Sequence, residues 1–325
     1  MKDVGIVGMP YSGKSTLFTA LTRSGGVGGR SNQAVVEVPD DRLGVLADIE
    51  KSKKVVAAKV RFVDVPGGLT AQGIGEFRQV DALCMVVRAF GADANPKDEL
   101  ASLETEMVLA DLVSIESGLE KARKKAKGKG EGAAEVAVLE KAHALLSDER
   151  PLRDAEFDRD ELKILRGFGP LSLKPWVTVA NVEEGATEST DLPDALAISA
   201  ALEAEVAGVD GDEARELLRG FGVEEPGLDR VVGACYRALD LITFLTTGED
   251  ETRAWEVRRG AKAPEAAGAI HSDLERGFIR AEVVGYEELV EVGSWDAAKA
   301  KGTLRVEGKD YEVLEGDVLN IRFAV

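Results

Sequence analysis

Lys14 and Ser15 close the run Gly8-Met9-Pro10-Tyr11-Ser12-Gly13-Lys14-Ser15-Thr16. Two spaced glycines followed by a lysine and a hydroxyl residue form a combination suited to a polyphosphate. The glycines let the backbone curl until successive N–H groups converge on phosphate oxygens. The lysine then reaches the β- and γ-phosphates, and the serine hydroxyl ligates a magnesium ion. Gly8, Tyr11, Ser12, Gly13, Lys14, Ser15 and Thr16 are therefore expected around the phosphates. A second chemical group is Asp64 in Asp64-Val65-Pro66-Gly67. Its carboxylate can hold the same magnesium through water, and the Gly67 N–H can sense a terminal phosphate. Asp-x-x-Gly is common by itself; downstream of a phosphate loop it gains meaning. Lys14 and Asp64 are the expected catalytic pair, and Ser15 and Asp64 the expected metal ligands.

These groups need elements to hold them. Val4-Gly5-Ile6-Val7 is a short apolar strand, and Leu17-Phe18-Thr19-Ala20-Leu21 has helical spacing. Strand, glycine turn and helix is the context in which the phosphate loop works, the helix adding its positive dipole end. Val55 to Val63 reads as one strand delivering Asp64, and Leu83-Cys84-Met85-Val86-Val87 as a strand buried on both faces of a parallel sheet. Trp176-Val177-Thr178-Val179-Ala180 leads into Asn181-Val182-Glu183-Glu184. GTP-binding proteins carry Asn-Lys-x-Asp at such a strand end, the aspartate accepting two hydrogen bonds from guanine. Val182 and Glu184 replace that lysine and aspartate, and the longer carboxylate misses the bidentate register, so the preference for guanine is relaxed toward adenine. Asn181, Val182 and Glu184 are expected at the base, with Ser199 and Ala200 of Ala197-Ile198-Ser199-Ala200 as the turn beside it.

From Pro96, apolar residues Leu100, Leu103, Met107, Leu112, Ile115 and Leu119 recur at helical spacing, and Val136, Leu139, Ala142 and Leu145 return. This is an antiparallel helical hairpin with its own apolar seam. Between the helices stand Lys121, Arg123, Lys124, Lys125, Lys127 and Lys129. That cluster is either a solvated tip or a phosphate-backbone contact. After Leu245 short strands dominate: Val257 to Gly260, Ala281 to Val284, a hairpin over Leu304 to Val313 and a terminal strand from Leu319, with a helix at Tyr286 to Val290. The expected architecture is α/β: a P-loop NTPase doubly wound sheet over residues 1–95 and 155–244, an inserted antiparallel helical hairpin over 96–154, and a ubiquitin-like β-grasp over 245–325.

The chain has 325 residues, 44% hydrophobic and 31% charged, with 41 basic against 59 acidic side chains and a net charge of −18. Such a balance fits a globular protein and excludes one coated in basic surface for nucleic acid, though not a local basic patch. Cys84 and Cys235 are too few for a disulfide framework and sit among apolar neighbours, as inert buried thiols do. No apolar run is long enough to span a membrane, and a cytoplasmic, monomeric protein is expected. His271 reads as a structural or surface histidine. Arg253, Trp255, Arg258 and Arg259 form either a stacking face for RNA or a core tryptophan among solvated arginines.

The order of parts resembles the YchF family of Obg-like ATPases across nearly the whole chain. The last third carries the most specific likeness: Leu241-Ile242-Thr243-Phe244, Arg253-Ala254-Trp255, Ala263-Pro264-Glu265-Ala266-Ala267-Gly268, Ile270-His271-Ser272-Asp273 and the run Glu275 to Val283, which are similar to that family's TGS domain. Asn181-Val182-Glu183-Glu184 resembles its altered base motif, which goes with ATP accepted or preferred over GTP. The resemblance implies a slow ATP-hydrolysing enzyme with Mg2+, associated with the ribosome or ribosomal RNA and regulatory in translation or stress. The alternative is a nucleotide-gated binding module with little hydrolysis. Three departures bear on this. Tyr11-Ser12 stands where the family has Asn-Val, which puts potassium dependence in doubt. The first switch is short and holds no threonine, Ser31 and Ser52 being its only later hydroxyls. The second switch is short too, and Gln72 is a weak candidate for positioning water.

Overall fold

The computed structural model describes residues 1–23, 33–65, 68–129, 132–186, 191–209 and 211–324. In chain order the strands are β1 (Lys2–Val7), β2 (Gln33–Glu37), β3 (Val55–Val56), β4 (Lys59–Asp64), β5 (Ala82–Arg88), β6 (Trp176–Asn181), β7 (Leu196–Ile198), β8 (Leu241–Thr246), β9 (Thr252–Arg258), β10 (Phe278–Gly285), β11 (Arg305–Glu307) and β12 (Asp317–Phe323). The helices are α1 (Lys14–Arg23), α2 (Arg42–Glu50), α3 (Ala71–Phe77), α4 (Pro96–Lys129), α5 (Ala133–Ser147), α6 (Arg159–Arg166), α7 (Ala200–Val206), α8 (Gly211–Gly220), α9 (Gly227–Ala238), α10 (Ala263–Ile270), α11 (Ser272–Arg276), α12 (Tyr286–Val292) and α13 (Trp295–Lys301). The chain divides into two compact units, residues 1–36 with 61–231 and residues 37–60 with 232–325.

The first unit is built on a sheet of order β2-β4-β1-β5-β6-β7. β1, β5, β6 and β7 run parallel, with Ile6 beside Cys84 and Cys84 beside Val177. Every residue of β5 from Ala82 to Val87 is buried, which explains its unbroken apolar run. Parallel strands end together, so the functional loops after β1, β5 and β6 meet at one edge. α4 starts where Asn95 accepts the Asp98 N–H (3.2 Å), Pro96 occupies the first helical position, and Asp98 and Glu99 face the positive end of the dipole. Val108, Ile115, Leu119 and Ala122 of α4 pack with Val138, Leu139, Ala142 and Leu146 of α5, so the outer part of the apolar stripe is the hairpin's own seam, whereas Leu100, Leu103 and Met107 pack into the sheet's core beside Leu83 and Met85.

A buried polar cluster fastens this hairpin to the sheet. The Arg78 guanidinium, just past α3, donates to Asp111 (3.2 Å) and to the carbonyls of Ala110, Phe168 and Gly169 (3.0, 3.1 and 3.0 Å). Asp111 accepts the Leu171 and Ser172 N–H groups at 2.9 and 2.7 Å. Burial pushes the Asp111 carboxyl up, and these donors with Arg78 oppose the rise.

In the second unit the sheet order is β11-β10-β12-β8-β9-β3. The antiparallel β8–β9 hairpin, then α10, then β10 and β11, with the last strand β12 parallel beside β8, is the order of a ubiquitin-like grasp. β3 extends it, Val55 and Val56 pairing with Thr252 and Arg253. Residues 37–60 group with residues 232–325 in this unit. Two expectations change here. Val55 to Val63 is not one strand: it breaks into β3 and β4, which serve different sheets. The Leu304 to Val313 hairpin is absent, because β11 pairs with β10 instead, while Val313 N–H bonds the Ala261 carbonyl at 3.0 Å.

Trp255 is partly buried and packs against the core of this unit. Its ring stacks on Phe244 with centroids 6.5 Å apart, its Nε1–H donates to Thr246 Oγ1 (2.9 Å), and the Arg253 guanidinium lies 4.7 Å from the ring centre. His271 accepts the Asp273 N–H on Nδ1 (3.1 Å) and caps α11. Neither cysteine forms a disulfide, and both are buried. No helix among the described residues is long and apolar enough to cross a membrane.

Candidate nucleotide-binding site

The loop after β1 is shaped by what its glycines allow. A Cβ on Gly8 would collide with the Ser12 side chain and the Val86 carbonyl, and one on Gly13, at φ +91°, would strike the Asn181 amide. Tyr11 also sits in the left-handed region, at φ 67°, with its side chain 89% exposed. Leu17 N–H bonds the Gly13 carbonyl (2.9 Å), so α1 grows directly out of the loop. Lys14 opens that helix, and Ser15 and Thr16 stand on its first turn.

Asn181 ties this loop to the other end of the site. Its Nδ2 donates to the Ser12 carbonyl at 3.0 Å, and its Oδ1 accepts the Ala200 N–H at 2.9 Å. Ser199 Oγ accepts the Leu202 N–H (3.3 Å) and caps α7. Glu183 accepts the Gly91 N–H (3.1 Å), and the Ala89 N–H bonds the Asn181 carbonyl (2.8 Å), so the segment after β5 is pinned to the end of β6.

Together these parts enclose a cleft of about 780 Å³. Tyr11, Gly13, Lys14, Ser15 and Thr16 line one end; Asn181, Val182, Glu183, Glu184 and Ser199 line the other. Gly8 and Ser12 of the loop and Ala200 do not line the cleft, the Ala200 N–H being taken by Asn181, while Ala201 lines the wall. Sequence reasoning passed over Arg88, Phe90 and Ala201, which also line the cleft. The signal for the first two was their place at the end of β5, Arg88 being its last residue and Phe90 lying two residues beyond, at the carboxyl edge of a parallel sheet. Phe90 offers a ring to a base. Arg88 is engaged by Asp93 at 3.1 and 3.3 Å, and its backbone N–H by Glu99.

Asp64 ends β4 half-buried, and its Oδ1 has no hydrogen-bond partner. Burial pushes its carboxyl up, and the Lys14 ammonium opposes that rise. Ser12 Oγ is likewise buried and unpartnered. Gly67 and Ser31 lie outside the described residues. Ser52 is committed elsewhere: its Oγ bonds the Gly248 carbonyl (2.7 Å) and Thr252 Oγ1 (2.8 Å). No group of three or more His, Cys, Asp or Glu side chains suited to a metal occurs among the described residues. Magnesium at a triphosphate takes most of its shell from phosphate and water. The unpartnered Asp64 oxygen and the Ser15 hydroxyl at the cleft fit that requirement.

Residues 241–324 match the family model YchF-GTPase_C, described as a protein of unknown function (DUF933), and residues 3–113 match MMR_HSR1, described as a 50S ribosome-binding GTPase. The chain is 38% identical over 358 residues to "Ribosome-binding ATPase YchF" of Pasteurella multocida, and 38% identical over 364 residues to the protein of that name from Bacillus subtilis; each alignment covers 99% of both chains. Both alignments are longer than the 325-residue chain, so the relatives carry insertions relative to it. The structure of the Schizosaccharomyces pombe YchF GTPase matches with a TM-score of 0.88 at 29% identity, covering 99% of this chain and 97% of that one.

Proposed function

This chain belongs to the YchF family of nucleotide-hydrolysing P-loop enzymes, and we propose that it is a slow, ribosome-associated ATPase of the cytoplasm, accepting GTP more weakly and acting as a monomer to regulate translation or the response to stress. The observation that carries the reading is the Asn181 bridge, which sets the phosphate loop and the Glu184 wall at fixed separation around one cleft. Backbone N–H groups of the loop and Lys14 grip the β- and γ-phosphates, while Ser15 and, through water, Asp64 hold the magnesium, which neutralises charge on the transferring group. Phe90 and Val182 take the faces of the base. Glu184 is exposed with no described partner fixing it, so it does not enforce the two-donor register that guanine requires.

Slow turnover follows from what the cleft offers. Lys14 stabilises charge, Asp64 is given to the metal and Glu184 stands at the base end, so no carboxylate among the described residues is left to activate the attacking water. The cleft arginine, Arg88, is already paired. An arginine finger is worth about 10³–10⁵ in rate where one is supplied. Phosphate release from ATP and from GTP, with and without ribosomes, tests the proposal against Lys14→Ala. Release above that variant's rate with ATP, and poorer competition by GTP in calorimetry, are expected. Equal rates for wild type and variant would end the catalytic reading. Tight ATP binding without release, even with ribosomes, would leave a nucleotide-gated binding module, the alternative favoured by the engaged Arg88.

A further inference from the structure

The tip of the helical hairpin contradicts the charge of the rest of the chain. Residues 121–129 carry six basic side chains and no acidic one, in a protein of net charge −18. Two of the six are neutralised within the hairpin: Arg123 by Glu140 at 2.6 Å and Lys125 by Glu135 at 3.8 Å. Lys121, Lys124 and Lys127 are exposed and have no described carboxylate in ion-pair range. They recur every third residue on α4, about 4.5 Å of rise apart, so the three ammonium groups share one side of the helix over about 9 Å. The 34-residue α4 is about 50 Å long and carries them at its far end.

From this we propose that Lys121, Lys124 and Lys127 form a docking surface for the phosphate backbone of RNA, and that this is a contact the chain makes on the ribosome; the proposal rests on the ribosome association above. The surface offers nothing that a protein partner would need as an anchor. Among residues 121–127 the apolar side chains are Ala122, buried in the hairpin seam, and half-buried Ala126, and the returning helix opens on the small residues Ala133 and Ala134. Protein interfaces concentrate their energy in buried aromatic, arginine or aliphatic anchors. Bare lysines on a straight helix instead suit evenly spaced phosphates, read without regard to sequence. A free positive cluster on an otherwise acidic molecule also orients the approach: the body is repelled by RNA while the tip is drawn to it.

The test uses the full-length protein and a triple Lys121→Glu, Lys124→Glu, Lys127→Glu variant. Binding is read by co-sedimentation with ribosomes and by anisotropy on a labelled structured RNA, each from about 50 to 200 mM salt. Each phosphate contact contributes about 0.7–0.9 to the slope of log affinity against log salt. Removing three should flatten the slope by roughly 2–3 and weaken binding at least tenfold at low salt, with ATP hydrolysis unchanged. Unchanged affinity and slope in the variant would overturn the proposal. So would a variant that loses ribosomes while the wild type shows no affinity for the RNA, since that result assigns the tip to a ribosomal protein. Wild type that ignores ribosomes yet binds the RNA through these lysines would sink the ribosome reading and the ribosomal half of this proposal with it, leaving only the phosphate-backbone surface.

Discussion

Asn181 uses both halves of its amide on protein groups, whereas two buried oxygens on the phosphate-loop side, Ser12 Oγ and Asp64 Oδ1, have no partner. The base end is closed on itself: Ser199 caps a helix, and Glu183 holds the Gly91 N–H. The phosphate end carries unmet polar groups and a tyrosine in left-handed backbone. A buried polar atom left without a partner costs about 1–3 kcal/mol, and a strained dihedral a similar amount. The fold thus tolerates at the phosphate end what it avoids at the base end. A ligand that satisfies those groups recovers the difference as binding free energy. Substitutions at the two ends should accordingly move the stability of the nucleotide-free protein in opposite directions.

The sharpest break of that contrast is Asp64→Asn. Hydrolysis of ATP should fall by about 100-fold or more, about 2.7 kcal/mol of barrier, because under the proposed function the variant loses the charge assigned to the metal's water. The nucleotide-free variant should nonetheless melt higher at pH 7. Burial holds the Asp64 pKa above the ordinary carboxylate range, so its ionised form is penalised in the fold. That penalty is present above the folded pKa and absent below the unfolded one. The variant's advantage should therefore shrink as pH falls toward about 4. Calorimetric melting at both pH values measures it; an Asp64→Asn protein that melts lower than wild type at pH 7 would place Asp64 with the satisfied groups of the base end.

Asn181→Ala should do the reverse. It strands the Ser12 carbonyl and the Ala200 N–H, both in buried residues. The expected cost is about 1–3 kcal/mol of stability. ATP affinity should drop about tenfold or more, with a smaller change in the rate of bound ATP, since Lys14 and Asp64 remain. Titration calorimetry beside single-turnover hydrolysis separates the two. A variant that binds ATP normally would show that the bridge does not set the cleft.

The phosphate loop was legible because its chemistry is local: nine consecutive residues carry the glycines, the lysine and the hydroxyl. Asn181 is expected at the base from its strand end, but nothing in the sequence marks it as a bridge, since its partner Ser12 is far away in sequence. Arg88 and Phe90 escaped because β5 reads as pure core up to Val87, and nothing in the two residues themselves marks the edge where the strand ends. The break between β3 and β4 was invisible for a related reason. Val55-Val56 and Val60-Arg61-Phe62-Val63 have the same strand character, and only the pairing of β3 with β9 across the chain assigns them to different sheets. Ser199 shows the remaining gap: a hydroxyl expected beside the base also caps α7, and one-dimensional spacing does not distinguish the two duties.

The smallest predicted effect probes the strain. Tyr11 holds φ 67° with its ring almost wholly in solvent, so no packing repays the backbone cost there. Asparagine occupies left-handed backbone far more readily than an aromatic residue. Tyr11→Asn should then stabilise the nucleotide-free protein by about 1 kcal/mol, which for a unit of this size raises Tm by about 2–4 °C. With saturating ATP and magnesium the gain separates two origins of the strain. If the loop keeps the same backbone when the phosphates are gripped, the increment persists unchanged in the complex. If the nucleotide draws residue 11 out of the left-handed region, the increment disappears on binding and ATP affinity falls by the same factor, because the substitution then stabilises only the free state. A variant no more stable than wild type in either condition would mean that exposed Tyr11 bears no penalty, and the contrast would then rest on Asp64 and Ser12 alone.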